Sequence, residues 1–199
     1  MAIRKVVIWP DPVLSQKAAP VVQFDESLKQ LVIDMFDTMY DAHGVGLAAP
    51  QVGISQRVLV IDLSPDPSKQ DLKDQEELKK IGFDKPLVFI NPEITTQSGR
   101  IVWEEGCLSV PGISEEVTRA ETLKVRAQDV DGQFFEKEVS RLYAVAIQHE
   151  IDHLDGKVFV EYLSRLKRDI IKRKMIKIRQ STSDYYKEHK EDSSASDSL

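Results

Sequence analysis

The sequence predicts an α+β fold. Strand-like segments cluster between separate helical stretches instead of alternating with them. Two long segments repeat apolar residues at helical spacing, and Asp131-Gly132 between two strand-like runs is a hairpin signal. At 199 residues, 41% hydrophobic and 30% charged, the chain fits one globular domain with a hydrophobic core.

The first helix starts at Phe24-Asp25-Glu26, where a capping residue and an acidic first turn precede Leu28, Leu31, Val32, Met35, Phe36 and Met39. Gly44 is its expected stop. The following Gly44–Gly53 stretch is too glycine-rich for a stable helix and reads as a loop that a ligand or another chain can approach closely. Residues 57–63 read as a buried strand. Residues 64–85 are polar, carry Pro65 and Pro67, and read as a surface insertion with room for a short helix over 72–81. Strands are expected at 87–90 and near 100–103, 122–129 and 133–139. A helix capped by Ser140 should run to Leu154 and stop at Asp155-Gly156.

The last helix is expected over 164–180. Its apolar stripe is Leu163, Leu166, Ile170, Met175 and Ile178, opposite a face of lysines and arginines. A catalytic domain over 1–180 is expected, followed by a disordered acidic tail over 181–199. The net charge of −6 offers no general attraction to nucleic acid or anionic membrane. No apolar stretch approaches the length of a membrane span or signal peptide, and the single cysteine forms no intrachain disulfide. A cytoplasmic setting is therefore expected.

The strongest chemical signal is His149-Glu150-Ile151-Asp152-His153. Histidines four apart on a helix share a face and can reach one metal ion. Glu150 then lies beside that ion, suited to act as a base on water. Leu142, Val145 and Ala146 fall on or near the same face, so the pair emerges from a largely buried helix, where unpartnered imidazoles would be costly. A hydrolytic metal takes three protein ligands and keeps one open position. Glu161 and His189 are poor third candidates. Cys107, in Glu105-Gly106-Cys107-Leu108-Ser109, is better, because a thiolate binds transition metals strongly. A lone cysteine is ordinarily a small buried hydrophobe; beside His149 and His153 the ligand reading is favoured. Asp152 has two open readings, orienting a ligating imidazole or serving as an exposed helix acid.

Three segments resemble the motifs of peptide deformylases, in that family's order. They are Gly44-Val45-Gly46-Leu47-Ala48-Ala49-Pro50-Gln51, Glu105-Gly106-Cys107-Leu108-Ser109 and His149-Glu150-Ile151-Asp152-His153, and the similarity extends over about residues 2–170. The resemblance implies mixed and antiparallel sheets around a central metal-binding helix, with a C-terminal helix. It implies removal of the formyl group from the N-terminal formyl-methionine of new polypeptides. Cys107, His149 and His153 would hold Fe2+, with Zn2+, Ni2+ or Co2+ as substitutes. Hydroxide generated at the metal would attack the formyl carbon, with Glu150 as general base and acid. Gln51 and the backbone N–H of Leu108 match the donors to the oxyanion. Val45 and Gly46 match the substrate-pairing segment, and Val45, Trp103, Leu142, Val145 and Ala146 the methionine pocket; these apolar residues read equally as core. Glu105 and Arg119 match a supporting pair. Ser114 stands where some members carry arginine. The resemblance also implies formylated nascent peptides as partners, ribosome contact through the basic C-terminal helix, and a monomer. Three other readings are weighed: an H-E-x-x-H peptidase cutting internal bonds, a closed structural metal site, and a diverged binding protein on this scaffold, against which the intact polar catalytic positions argue.

Overall fold

The computed structural model describes residues 2–63 and 85–194, with side chains through residue 181. The expected helix over 72–81 lies outside the described residues, as does all of the 64–85 insertion except Lys85.

The architecture is α+β. Helix α1 (Glu26–Asp41) starts where Asp25 accepts a hydrogen bond from Leu28 N at 3.0 Å. It ends in a left-handed residue at His43 (φ 55), one position before the expected Gly44. Gly44 N then closes the end by donating to Met39 O at 2.8 Å.

Strands β1 (Gly46–Ala48), β2 (Val58–Ile61), β3 (Leu87–Ser98), β6 (Thr122–Gln128) and β7 (Phe134–Ser140) form one sheet in the order β1-β2-β3-β6-β7. Strands β4 (Ile101–Gly106) and β5 (Ser114–Arg119) form a separate two-stranded sheet. Among the described residues every strand pair is antiparallel, and one isolated parallel bridge joins Ala19 to Gln56. Strand β3 extends well past the expected end at Ile90. Asn91 takes a positive φ before Pro92, and the irregular register with β6 lets pairing resume beyond the proline. The β6–β7 hairpin turns at Asp131-Gly132 as expected, with Gly132 at φ 80.

β2 shows why its whole run is apolar. Val58 and Val60 pack with Leu28, Leu31, Met35 and Met39 of α1 on one face. Leu59 and Ile61 pack on the other with Ala144, Ile147, Ile151 and Leu154 of helix α2 (Arg141–Leu154). The sheet is thus covered on both faces at this strand, and each fully buried side chain contributes about 1.5–3 kcal/mol. Ser140 occupies the start of α2 but makes no side-chain capping bond; the expectation that it caps this helix is corrected.

Helix α3 runs Arg165–Ser194, past the expected end at Gln180. Residues 181–194 contain no glycine or proline to stop it. Residues 195–199 of the expected tail lie outside the described residues. Its buried stripe also differs from the expected one. Ile171 and Met175 enter a third core with Trp9, Val117 and Phe159, joined by the half-buried Leu163 and Ile178. Leu166 and Ile170 stay exposed, because the contact face falls one residue further along the helix.

Candidate metal centre

The centre is assembled from three parts of the chain. β1 is an edge strand and leads into a 3-10 turn at Ala49–Val52. That turn buries Gln51, whose Oε1 accepts from Ala48 N at 2.7 Å. Its Nε2 points at Ser109 Oγ (3.3 Å) and Cys107 Sγ (3.5 Å). Cys107 follows directly on β4 and packs at the edge of the third core.

Helix α2 supplies the rest. His149, Glu150 and His153 are all buried. One ligand atom each of Cys107, His149 and His153 lie within 4.8 Å of one another. Cys107 Sγ is 3.3 Å from His153 Nε2. His149 Nδ1 donates to Glu105 Oε2 at 2.8 Å, which leaves Nε2 as the nitrogen that a metal would take.

Burial pushes His153 well below the usual histidine range, assisted by the nearby His149 and Arg119 charges, so its ring is neutral as a ligand must be. Burial also opposes a charge on His149, but Cys107 and Glu105 overcome it and raise its pKa. A half-buried thiol beside two buried imidazoles, with a carboxylate behind one of them, is a soft donor set that suits a transition-metal cation. Glu150 Oε2 is buried with no hydrogen-bond partner among the described residues. Burial raises that carboxyl to about 7, with His149 and Arg119 opposing and Glu105 adding to the shift.

A cavity of about 580 Å³ opens above these groups. All six expected substrate-binding residues line it: Val45, Gly46, Trp103, Leu142, Val145 and Ala146. Gln51, Leu108, Cys107, His149 and Glu150 line it too, whereas His153 lies behind. The Leu108 N–H donates to no group among the described residues. His43, Pro111 and Ile113 also reach the wall and were not expected from sequence. Their placement follows from the end of α1 and the β4–β5 connection, which carry no local pattern of their own.

Glycine is required at position 46 by close approach, because a Cβ there would overlap the Glu150 carboxylate. Gly46→Ala is expected to displace Glu150 and cut turnover by about tenfold or more, a 1 Å misplacement being worth up to ~10². Assay at matched metal content checks this.

The alternative for Asp152 is settled differently from either expectation. Its carboxylate orients no imidazole. It accepts from Arg119 Nη1 and from the Tyr162 hydroxyl, and it is only part-exposed. Glu105 is the group that orients His149, held by two Arg119 bonds of 2.7 and 2.9 Å. Burial alone would raise the Glu105 pKa, but Arg119 and His149 hold it below the ordinary carboxylate value.

The polypeptide deformylase profile matches residues 3–169. The chain is 49% identical to the peptide deformylase of Alkalilimnicola ehrlichii over 89% of its own length and 92% of that protein. The chain belongs to the peptide deformylase family. A deformylase of Acidobacterium capsulatum is 50% identical, over 91% of this chain and 98% of its own. The crystal structure of the Legionella pneumophila deformylase superposes with a TM-score of 0.79 at 47% identity, covering 92% of this chain and 98% of the other. The deformylase of Ehrlichia chaffeensis in complex with actinonin superposes with a TM-score of 0.79 at 36% identity, over 89% and 98%. Peptide deformylases are metal-dependent enzymes that remove the N-terminal formyl group from nascent peptides.

Proposed function

We propose that this chain deformylates formyl-methionyl peptides with Fe2+ held by Cys107, His149 and His153, in one catalytic domain over 1–180. The convergence of those three donors beneath the cavity, with an unpartnered Glu150 oxygen alongside, carries this reading. Zn2+, Ni2+ and Co2+ suit the same donors.

When bound, the metal supplies Lewis acidity that lets water act as a nucleophile near neutral pH. Glu150 takes the proton from that water and returns it to the leaving amine. Its raised pKa near 7 suits both halves of the transfer. The Nε2 amide of Gln51 and the N–H of Leu108 donate to the oxyanion that forms at the formyl group. Val45 and Gly46 lie at the exposed edge of the sheet, where a peptide can pair as an added strand. Trp103, Leu142, Val145 and Ala146 receive the methionine side chain. Gln51→Ala is expected to lower kcat by about 10²–10³, with metal content unchanged by elemental analysis.

We infer that the enzyme works beside translation in the cytoplasm, as a monomer. No described helix is long and apolar enough to cross a membrane. The basic side of α3 suits ribosomal RNA phosphates. Three of its cations already serve the body of the protein: Lys167 binds Glu115, Lys174 binds Gly112 O and Arg179 binds Asp11. Arg165, Lys172, Arg173 and Lys177 stay exposed for a partner.

The test is anaerobic purification followed by assay of formyl-Met-Ala-Ser. Formate release that a chelator abolishes and ferrous iron restores is expected. Cleavage of unformylated peptides that survives Cys107→Ala would instead make the chain an endopeptidase.

A further inference from the structure

The metal centre is backed by a chain of contacts that ends in a residue outside the cavity, Tyr162. Glu105 fixes the His149 ring and itself accepts from Arg119 Nε and Nη2. Arg119 also donates to Asp152, and the Tyr162 hydroxyl donates to the second Asp152 oxygen at 3.1 Å. The Tyr162 ring lies over the same guanidinium, 4.6 Å from its carbon to the ring centroid. Glu105 and Arg119 are 4% and 6% exposed, whereas Tyr162 is 50% exposed. The ring therefore stands between a buried ion network and solvent.

We propose that Tyr162 is a positioning residue of the metal centre, locking Arg119 and Asp152 so that Glu105 holds the His149 ring. This rests on the reading of Cys107, His149 and His153 as metal ligands. Two contacts from one side chain act on the same cation. The ring stacks on Arg119 by a cation–π contact, and the hydroxyl fixes the carboxylate that Arg119 pairs with. Without them water reaches the guanidinium, screens both ion pairs, and frees Glu105 to move. Groups that orient a ligating histidine typically change metal affinity 10–100-fold. Tyr162 acts two links further out, behind Arg119, at the lower end of that range. Tyr162 does not line the cavity, which predicts no change in substrate binding.

The experiment uses cobalt(II)-loaded protein, followed by its visible absorption as EDTA removes the ion well below the melting temperature. Tyr162→Leu is expected to lose cobalt about tenfold faster than wild type, with altered absorption bands and an unchanged KM for formyl-Met-Ala-Ser. Tyr162→Phe keeps the ring and loses the hydroxyl bond, and should lose cobalt about threefold faster. Ile171→Val thins the core under α3 without touching the network; it controls for general destabilisation and should match wild type. Rates within roughly twofold of wild type for the Tyr162 variants would overturn the proposal. If Tyr162→Leu does not fold, Tyr162→Phe alone decides on the same criterion. Cys107→Ala separates the two readings. If it binds cobalt with the wild-type spectrum, the ligand assignment fails and this proposal with it. If it loses the spectrum while the Tyr162 variants match wild type, only this proposal fails.

Discussion

Glu150→Gln should lower kcat on formyl-Met-Ala-Ser by about 10²–10⁴-fold while the metal stays bound. The substitution preserves size and fits the same buried site, so it removes the proton acceptor and little else. An amide cannot take a proton from water and cannot return one to the leaving amine. The carboxylate is placed for that task by helix α2, one residue along from His149. It has one oxygen without a partner, and Gly46 opposite leaves it room. Steady-state kinetics with metal analysis on the same sample measure the effect. A pH dependence accompanies it. The base must be ionised to act, and burial raises its pKa to about 7. A bound cation favours the ionised form and lowers that value. The wild-type kcat/KM should therefore fall as pH drops, with its acid limb at or below pH 7. A wild-type rate flat down to pH 4, or a glutamine variant within tenfold of wild type, would remove Glu150 from the mechanism.

The second large effect is expected at Cys107. Cys107→Ala removes the one anionic ligand and leaves two imidazoles, too few for a stable hydrolytic site. Loss of the Lewis acid forfeits several kcal/mol of transition-state stabilisation. At about 1.4 kcal/mol per factor of ten, turnover should fall roughly 10³-fold or more. Excess metal should not restore it, whereas chelated wild-type enzyme should recover when ferrous iron is added anaerobically. The protein should stay folded, because Cys107 sits at the edge of the third core and the deep residues there, Leu14, Val110 and Met175, are untouched. A native circular dichroism spectrum with no bound metal is the expected pair of results.

The legible parts of the fold were those with a local pattern. His149 and His153 stand four apart, so their shared helix face could be read directly. The run Val58–Ile61 announced a strand covered on both sides. Strand β5 could not be read, because Ser114–Arg119 is mostly polar and pairs only with β4. β1 was hidden within a glycine-rich loop, where pairing with β2 outweighs weak local propensity. On α3 the apolar residues satisfy more than one helical stripe. Only docking against Trp9 and Phe159 decides that Ile171 is buried and Ile170 exposed.

The candidate site divides in the same way. The ligand pair and Glu150 come from one helix and were visible as a spacing. Their union with Cys107 is tertiary, and only chemistry and the family resemblance suggested it. Asp152 was noted for its place beside a histidine, yet it faces Arg119. In helix α2 its side chain points away from the ligand face, and Glu105 from the facing strand fills the role instead. Tyr162 carried no signal at all, since its partners are far from it in sequence.

X-ray absorption at the metal edge of the cobalt-loaded protein tests the centre most directly. One sulfur and two imidazole ligands are expected, with the sulfur contribution lost in Cys107→Ala. A wild-type spectrum fitted by nitrogen and oxygen ligands alone would contradict the assignment of Cys107, His149 and His153.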